Sequence, residues 1–264
     1  RLWEGRAREA LDIATAAVAN FRRIEDVFGE VQALGPVGRA LVALGRVDEG
    51  FAALEEMLAV RGITDDMRNL ALTAVAGAAV HVGEPHRLPP ELRDVGPDQF
   101  GRSAISNEEQ LVALGLAALQ RGEPDRALAY LEKAGVDGRR PPYPQSALAL
   151  ALERSGRGDE AIETADLALA APGATYLDRS AARVAKALAL AAQGDRAATV
   201  ATLDEALAEV DATDDVVASA IVRLGEVEAR SRLGEDVFDL AETVDLALDR
   251  LGLSAEGWRR AISG

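Results

Sequence analysis

Residues 111–134 read LVALGLAALQRGEPDRALAYLEKA. Leu111, Leu114 and Ala118 recur at spacings of three and four, which places them on one face of a helix. Gly122 follows, where a helix C-terminus favours a left-handed residue and glycine adopts that conformation at least cost. Glu123-Pro124-Asp125 then opens a second helix. Acidic side chains suit the positive end of the helix dipole, and proline is tolerated in a first turn. Ala127, Leu131 and Ala134 carry the apolar face onward. The stretch is therefore a helix, a tight turn and a second helix.

The same turn recurs along the chain. Gly5, Gly45, Gly83, Gly122, Gly156, Gly194 and Gly234 each follow a Leu/Ala-rich stretch, at spacings of 34 to 40 residues. Acidic residues follow most of them, as in Val47-Asp48-Glu49, Asp159-Glu160 and Glu235-Asp236. Regular spacing of this kind marks a chain built from repeated helix pairs.

The central stretch resembles a tetratricopeptide repeat. Leu111, Leu114, Gly115, Gly122, Ala127, Leu131 and Ala134 stand at that family's offsets, with Ala118 smaller than its pattern prefers. The resemblance continues through Leu148, Ala149, Leu152, Gly156, Ala161 and Ala168, and loosens toward both ends. At Gly194, Lys186 replaces the usual Leu, and near Gly234 the pair Leu224-Gly225 stands two residues out of register. The family's usual repeat is about 34 residues, so most units here carry longer helices or loops. Gly115 and Ala127 are expected to face each other across one helix pair.

The resemblance implies an all-α, right-handed superhelical solenoid of antiparallel helix pairs. About six units are expected over residues 1–264, forming one domain, with one unit degenerate. That unit follows Gly83, where Pro85, Pro89, Pro90 and Pro97 interrupt the second helix. A short helix near 89–95 is expected, in a Pro-rich loop over 84–103, with Leu88, Leu92 and Val95 near inward positions. Helix starts are expected at Thr64, Ser106 and Thr213, from capping signals. Pro141, Pro142 and Pro144, then Pro172-Gly173, mark joints between units. A short terminal helix is expected at about 254–263, with Trp258 covering an end of the core. Arg1 in place of Met, and Leu2-Trp3 ahead of a turn at Gly5, suggest a segment of a longer parent chain with further domains.

Composition restricts function. Of 264 residues, 48 % are hydrophobic but only 4 % aromatic, and the formal net charge is −15. So negative a surface repels nucleic-acid phosphates and anionic lipid. No apolar run approaches the roughly 20 residues that span a bilayer. There is no cysteine, so disulfides and thiolate chemistry are excluded, and a cytoplasmic location is expected. His81 and His86, separated by Pro85, lack the spacing of paired metal ligands. Acidic pairs such as Glu55/Glu56, Asp65/Asp66 and Asp214/Asp215 read as solvated charges. Neither a phosphate-binding glycine loop nor a nucleophile with its base stands out. No enzymatic activity and no cofactor or metal are expected.

What the resemblance does imply is binding of protein. Its groove positions fall on Val112, Leu116 and Leu119, then Tyr143, Ser146 and Leu150, then Val184 and Leu188. This lining is apolar and suits a helical or extended apolar partner segment. The family's chaperone-binding members grip a terminal carboxylate with Lys and Asn, which are missing here. Internal packing between neighbouring helices accounts for the same residues equally well. Arg126, Glu132, Glu160, Glu163, Asp204 and Glu205 read as the solvated outer face. The expected function is a protein-interaction scaffold. The alternative is a sensory or autoregulatory section of a larger bacterial transcriptional regulator or signalling protein, with the effector chemistry on another domain.

Overall fold

The structure is a computed structural model, and it describes residues 1–100, 105–135 and 143–263, the side chains of 105–107 and 143 excepted. Among these residues every regular element is helical: α1 Ala7–Arg23, α2 Val27–Ala43, α3 Val47–Ala59, α4 Asp65–His81, α5 Pro90–Arg93, α6 Ile105–Gln120, α7 Pro124–Gly135, α8 Tyr143–Arg154, α9 Gly158–Ala170, α10 Tyr176–Ala192, α11 Arg196–Asp211, α12 Val216–Arg232, α13 Phe238–Arg250 and α14 Glu256–Ile262. Single 3-10 turns occupy Leu2–Glu4, Pro85–Arg87 and Pro97–Gln99.

All seven turn glycines have positive φ. At Gly45 (φ 78°) its N–H donates to Val42 O at 2.9 Å, and Arg46 N–H donates to Leu41 O at 2.9 Å. These paired bonds satisfy carbonyls that the helix end would otherwise leave free. At the other ends, Thr64 accepts from Met67 N–H and caps α4. Thr175 and Asp178 cap α10 reciprocally, Asp178 accepting from Thr175 N–H at 2.8 Å.

The glycine turns sort the long helices into two layers. Helices α2, α4, α6, α8, α10 and α12 form an inner layer, each packed on the next. Helices α3, α7, α9 and α11 lie outside, each against two successive inner helices. Arg126, Glu132, Glu160, Glu163, Asp204 and Glu205 are all exposed on this outer layer. One hydrophobic core runs from Val18 to Ile262. Tyr130, Leu54, Leu119, Leu131, Leu188 and Leu203 are among its most deeply buried side chains.

The row of inner helices bends until its ends meet, and α12 packs on α2. Asp214 N–H donates to Gly5 O at 2.8 Å, and Arg8 pairs with Asp214 at 3.1 Å. Helix α14 then packs on α6, α8 and α12. There it supplies donors to helix ends that lack them. Trp258 Nε1–H donates to His81 O at 2.9 Å and Arg260 Nε–H to Gln120 O at 2.9 Å. Arg232 fastens the same corner: it pairs with Glu153 of α8 and donates to Leu188 O and Ile262 O. No helix among the described residues is long and apolar enough to cross a membrane.

Several local expectations need correction. Gly115 packs against Leu131, from whose Cγ a Cβ on Gly115 would lie 2.6 Å. In the first pair Gly50 stands where Ala127 stands in the central one, and there the backbones do converge: a Cβ on Gly50 would lie 2.7 Å from Gly38 O. Gly225, out of register, packs across units, where its Cβ would meet Val184. Asp215, not Thr213, caps α12, by accepting from Ala218 N–H at 2.8 Å. Helix α6 is described from Ile105, and the side chain of Ser106, where a capping box was expected, lies outside the described residues. The degenerate unit keeps one helical turn, α5, and its Leu88 and Leu92 are buried. Val95 is half-buried, and its carbonyl accepts from Tyr130 at 2.5 Å. Pro141, Pro142 and the loop end at Arg102 lie outside the described residues. The terminal helix is Glu256–Ile262, and Trp258 covers the turn at Gly83.

Candidate functional site

Because the inner helices bend into a ring, their inward faces surround a space. That space is a cavity of about 220 Å³. Its walls are chiefly apolar: Val42, Ala78, Val112, Leu116, Leu150, Val184, Ile221 and Val222, with Trp258 and Ile262 supplied by α14. Alternating small and branched residues leave room that larger side chains would have filled.

One sector of the wall is polar. Asp215 is 2 % exposed, and its carboxylate accepts from Tyr176 O–H at 2.6 Å and from Ala218 N–H at 2.8 Å. His81 Nε2 lies 3.1 Å from the same carboxylate. Burial disfavours the imidazolium, but the charge and hydrogen bond of Asp215 outweigh it, so the His81 pKa is raised. Burial likewise opposes ionisation of Asp215, yet the charge of His81 and the surrounding donors hold its pKa below the ordinary value. The two form an ion pair in the wall. Asp178, 2 % exposed, is different. Burial pushes its pKa up, against the hydrogen bonds from Thr175.

Leu2, Trp3, Arg39 and Glu109 line both this cavity and a second hollow, of about 590 Å³, outside it, and so mark the border, here the neck, between the two. The outer hollow lies beside α1, α2 and α4 and is floored by Ala10, Ile13, Ala14, Ala33, Met57 and Ala74. Ile13 is 55 % exposed there, Trp3 42 % and Leu70 37 %. Pro36 of α2 also faces the hollow and has no N–H to give the Gln32 carbonyl beside it.

Of the groove residues named from the sequence, Val112, Leu116, Ser146, Leu150 and Val184 come together around the inner cavity. Leu119 and Leu188 are buried among neighbouring helices, at 1 % and 0 % exposure. The side chain of Tyr143 lies outside the described residues. Sequence reasoning did not find Tyr176, His81, Asp215, Arg39 or Trp258 as wall residues. Asp215 in particular departs from the solvated charge expected, since it caps a helix whose start is covered by α4 and α10. Glu55, Glu56, Asp65 and Asp66 are exposed as read. No group of three or more His, Cys, Asp or Glu side chains among the described residues is placed to hold a metal ion.

No protein-family model, no curated protein and no solved structure matches the chain.

Proposed function

We propose that the chain is a tetratricopeptide-like, right-handed helical-repeat module whose work is to bind an amphipathic helix of a partner protein. One observation carries this reading. The outer hollow beside α1, α2 and α4 is an exposed, chiefly apolar trough. Its apolar floor, with Ile13, Leu70 and Trp3 exposed, suits a helix presenting anchors at i, i+3/i+4 and i+7. The net charge of −15 favours a helix with a basic outer face. The inner cavity, closed on one side by α14, is too small for a helix about 10 Å across.

A pull-down from native extract tests the reading by comparing the wild-type chain with Ile13→Glu/Leu70→Glu. Both positions face the hollow, so the variant is expected to keep its helical circular dichroism. A protein retained by the wild type, released by the variant, and displaced from the wild type by a synthetic copy of its own amphipathic helix supports the slot. Equal retention by both chains removes it.

The second reading is a sensory or autoregulatory section of a larger bacterial regulator. The inner cavity favours it, because a hollow that borders the partner slot offers a place for an effector.

A further inference from the structure

Arg39 and Glu109 share the longest ion pair around the inner cavity. Arg39 leaves α2 and crosses the face of α4 at Gly77, where a Cβ would lie 3.5 Å from a guanidinium nitrogen. Its guanidinium stands over Trp3, 5.4 Å from the ring centroid. Its ion pair with Glu109 spans 3.7 Å, too long for a hydrogen bond and longer than any other ion pair found among the described residues. Arg39 is only 22 % exposed, while Glu109 is 42 % exposed and can turn outward.

The two buried carboxylates of the wall, Asp215 and Asp178, are occupied. Asp215 accepts from His81, Tyr176 and Ala218. Asp178 accepts from Thr175 through both its N–H and its hydroxyl. Protonated His81 lies close enough to Arg39 that the guanidinium opposes its charge. Two cations thus border one space, and the carboxylates nearest His81 are already committed. A half-buried guanidinium without a close acceptor gains more from a bidentate anion than from any neutral group. The rest of the wall is hydrocarbon and offers an apolar body nothing but contact.

We propose that the inner cavity binds a small apolar carboxylic acid, its carboxylate held by Arg39 at the neck and its hydrocarbon body packed against Val112, Leu116, Leu150, Val184 and Ile221. A 150 Å³ apolar cavity accepts benzene, so 220 Å³ sets the body at about six to eight carbons. The acid's carboxylate takes the place of Glu109 against Arg39. This site does not depend on the partner-helix reading, although both share the neck.

Isothermal titration calorimetry on the purified 264-residue chain tests it, with octanoate, 1-octanol and octylamine as probes. Octanoate is expected to bind at one saturable site, about tenfold or more tighter than either other probe. Arg39→Gln is expected to weaken octanoate about tenfold while leaving 1-octanol unchanged. Ala181→Leu, which fills the cavity without touching Arg39, is expected to remove binding of both. No saturable binding of octanoate overturns the proposal, as does equal affinity for acid and alcohol, or octanoate binding unaffected by Arg39→Gln. If either variant unfolds, the ranking of the three probes on the wild-type chain decides alone. No protein partner is present, so failure here leaves the partner slot untouched, and failure of the pull-down leaves this site untouched.

Discussion

Gly83 and Gly194 end inner helices in the same left-handed turn, at φ 74° and 78°, yet their surroundings differ completely. A Cβ on Gly83 would lie 2.5 Å from Trp258 Cδ1, whereas one on Gly194 would meet nothing within 4 Å. The division holds for the whole set. Gly5 lies against Thr213, Gly45 against Leu251 and Gly83 against Trp258, while Gly122, Gly156, Gly194 and Gly234 face open space. The first three glycines lie on the seam where the ends of the chain meet. Identical local sequence signals thus serve two purposes: four make a turn only, and three make a turn and admit the far end of the chain.

Substitutions along and away from the seam test that division. Trp258→Ala is expected to have the largest effect, about 3–5 kcal/mol in urea unfolding, because it opens the seam and strands the His81 carbonyl. A loss near 1 kcal/mol would mean that α14 is not held where the structure has it. Gly83→Ala is expected to cost about 2–4 kcal/mol, combining left-handed strain with overlap against Trp258. Gly194→Ala carries the strain alone and should cost about 1 kcal/mol. Equal losses for the two glycine variants would erase the distinction between seam and periphery. Gly115→Leu sits away from the seam and is expected to cost about 1–3 kcal/mol through overpacking against Leu131.

The smallest effect concerns pH. His81 has a raised pKa in the folded chain, so its contribution is complete below its ordinary value of about 6.5 and is lost as pH rises through the folded value. Asp215 has a lowered pKa, so its contribution is present above its ordinary value of about 3.9 and is lost as pH falls through the folded one. The pair should therefore stabilise most between these limits. Thermal melts of wild type and Asp215→Asn should converge as pH rises above 7. A constant gap from pH 5 to pH 9 would show that the pair is not ionised.

Much of the helix order was legible because its signals are local. Gly45 and Gly122 mark helix ends through backbone conformation, and Thr64 marks a start through one side-chain bond to a nearby N–H. The errors came where two local signals compete or where a partner lies far along the chain. Thr213-Asp214-Asp215 offers three possible caps, and what singles out Asp215 is its contact with His81 of α4 and Tyr176 of α10. Leu131, whose side chain fills the space beside Gly115, was read only as part of the repeat pattern. Five of the groove residues do share one space. Their sequence spacing places them on inner helices, but it is silent on the curvature that turns a groove into a cavity.

Sequence alone determined that this chain is helical, where most of its helices end, and which faces are apolar, because each property depends on residues within one or two turns of each other. Tertiary structure decided that α14 returns to α6, that His81 meets Asp215 across 134 residues, and that Arg39 stands on the border of two hollows. Those outcomes depend on small bends added over six inner helices. No short stretch of sequence records their sum.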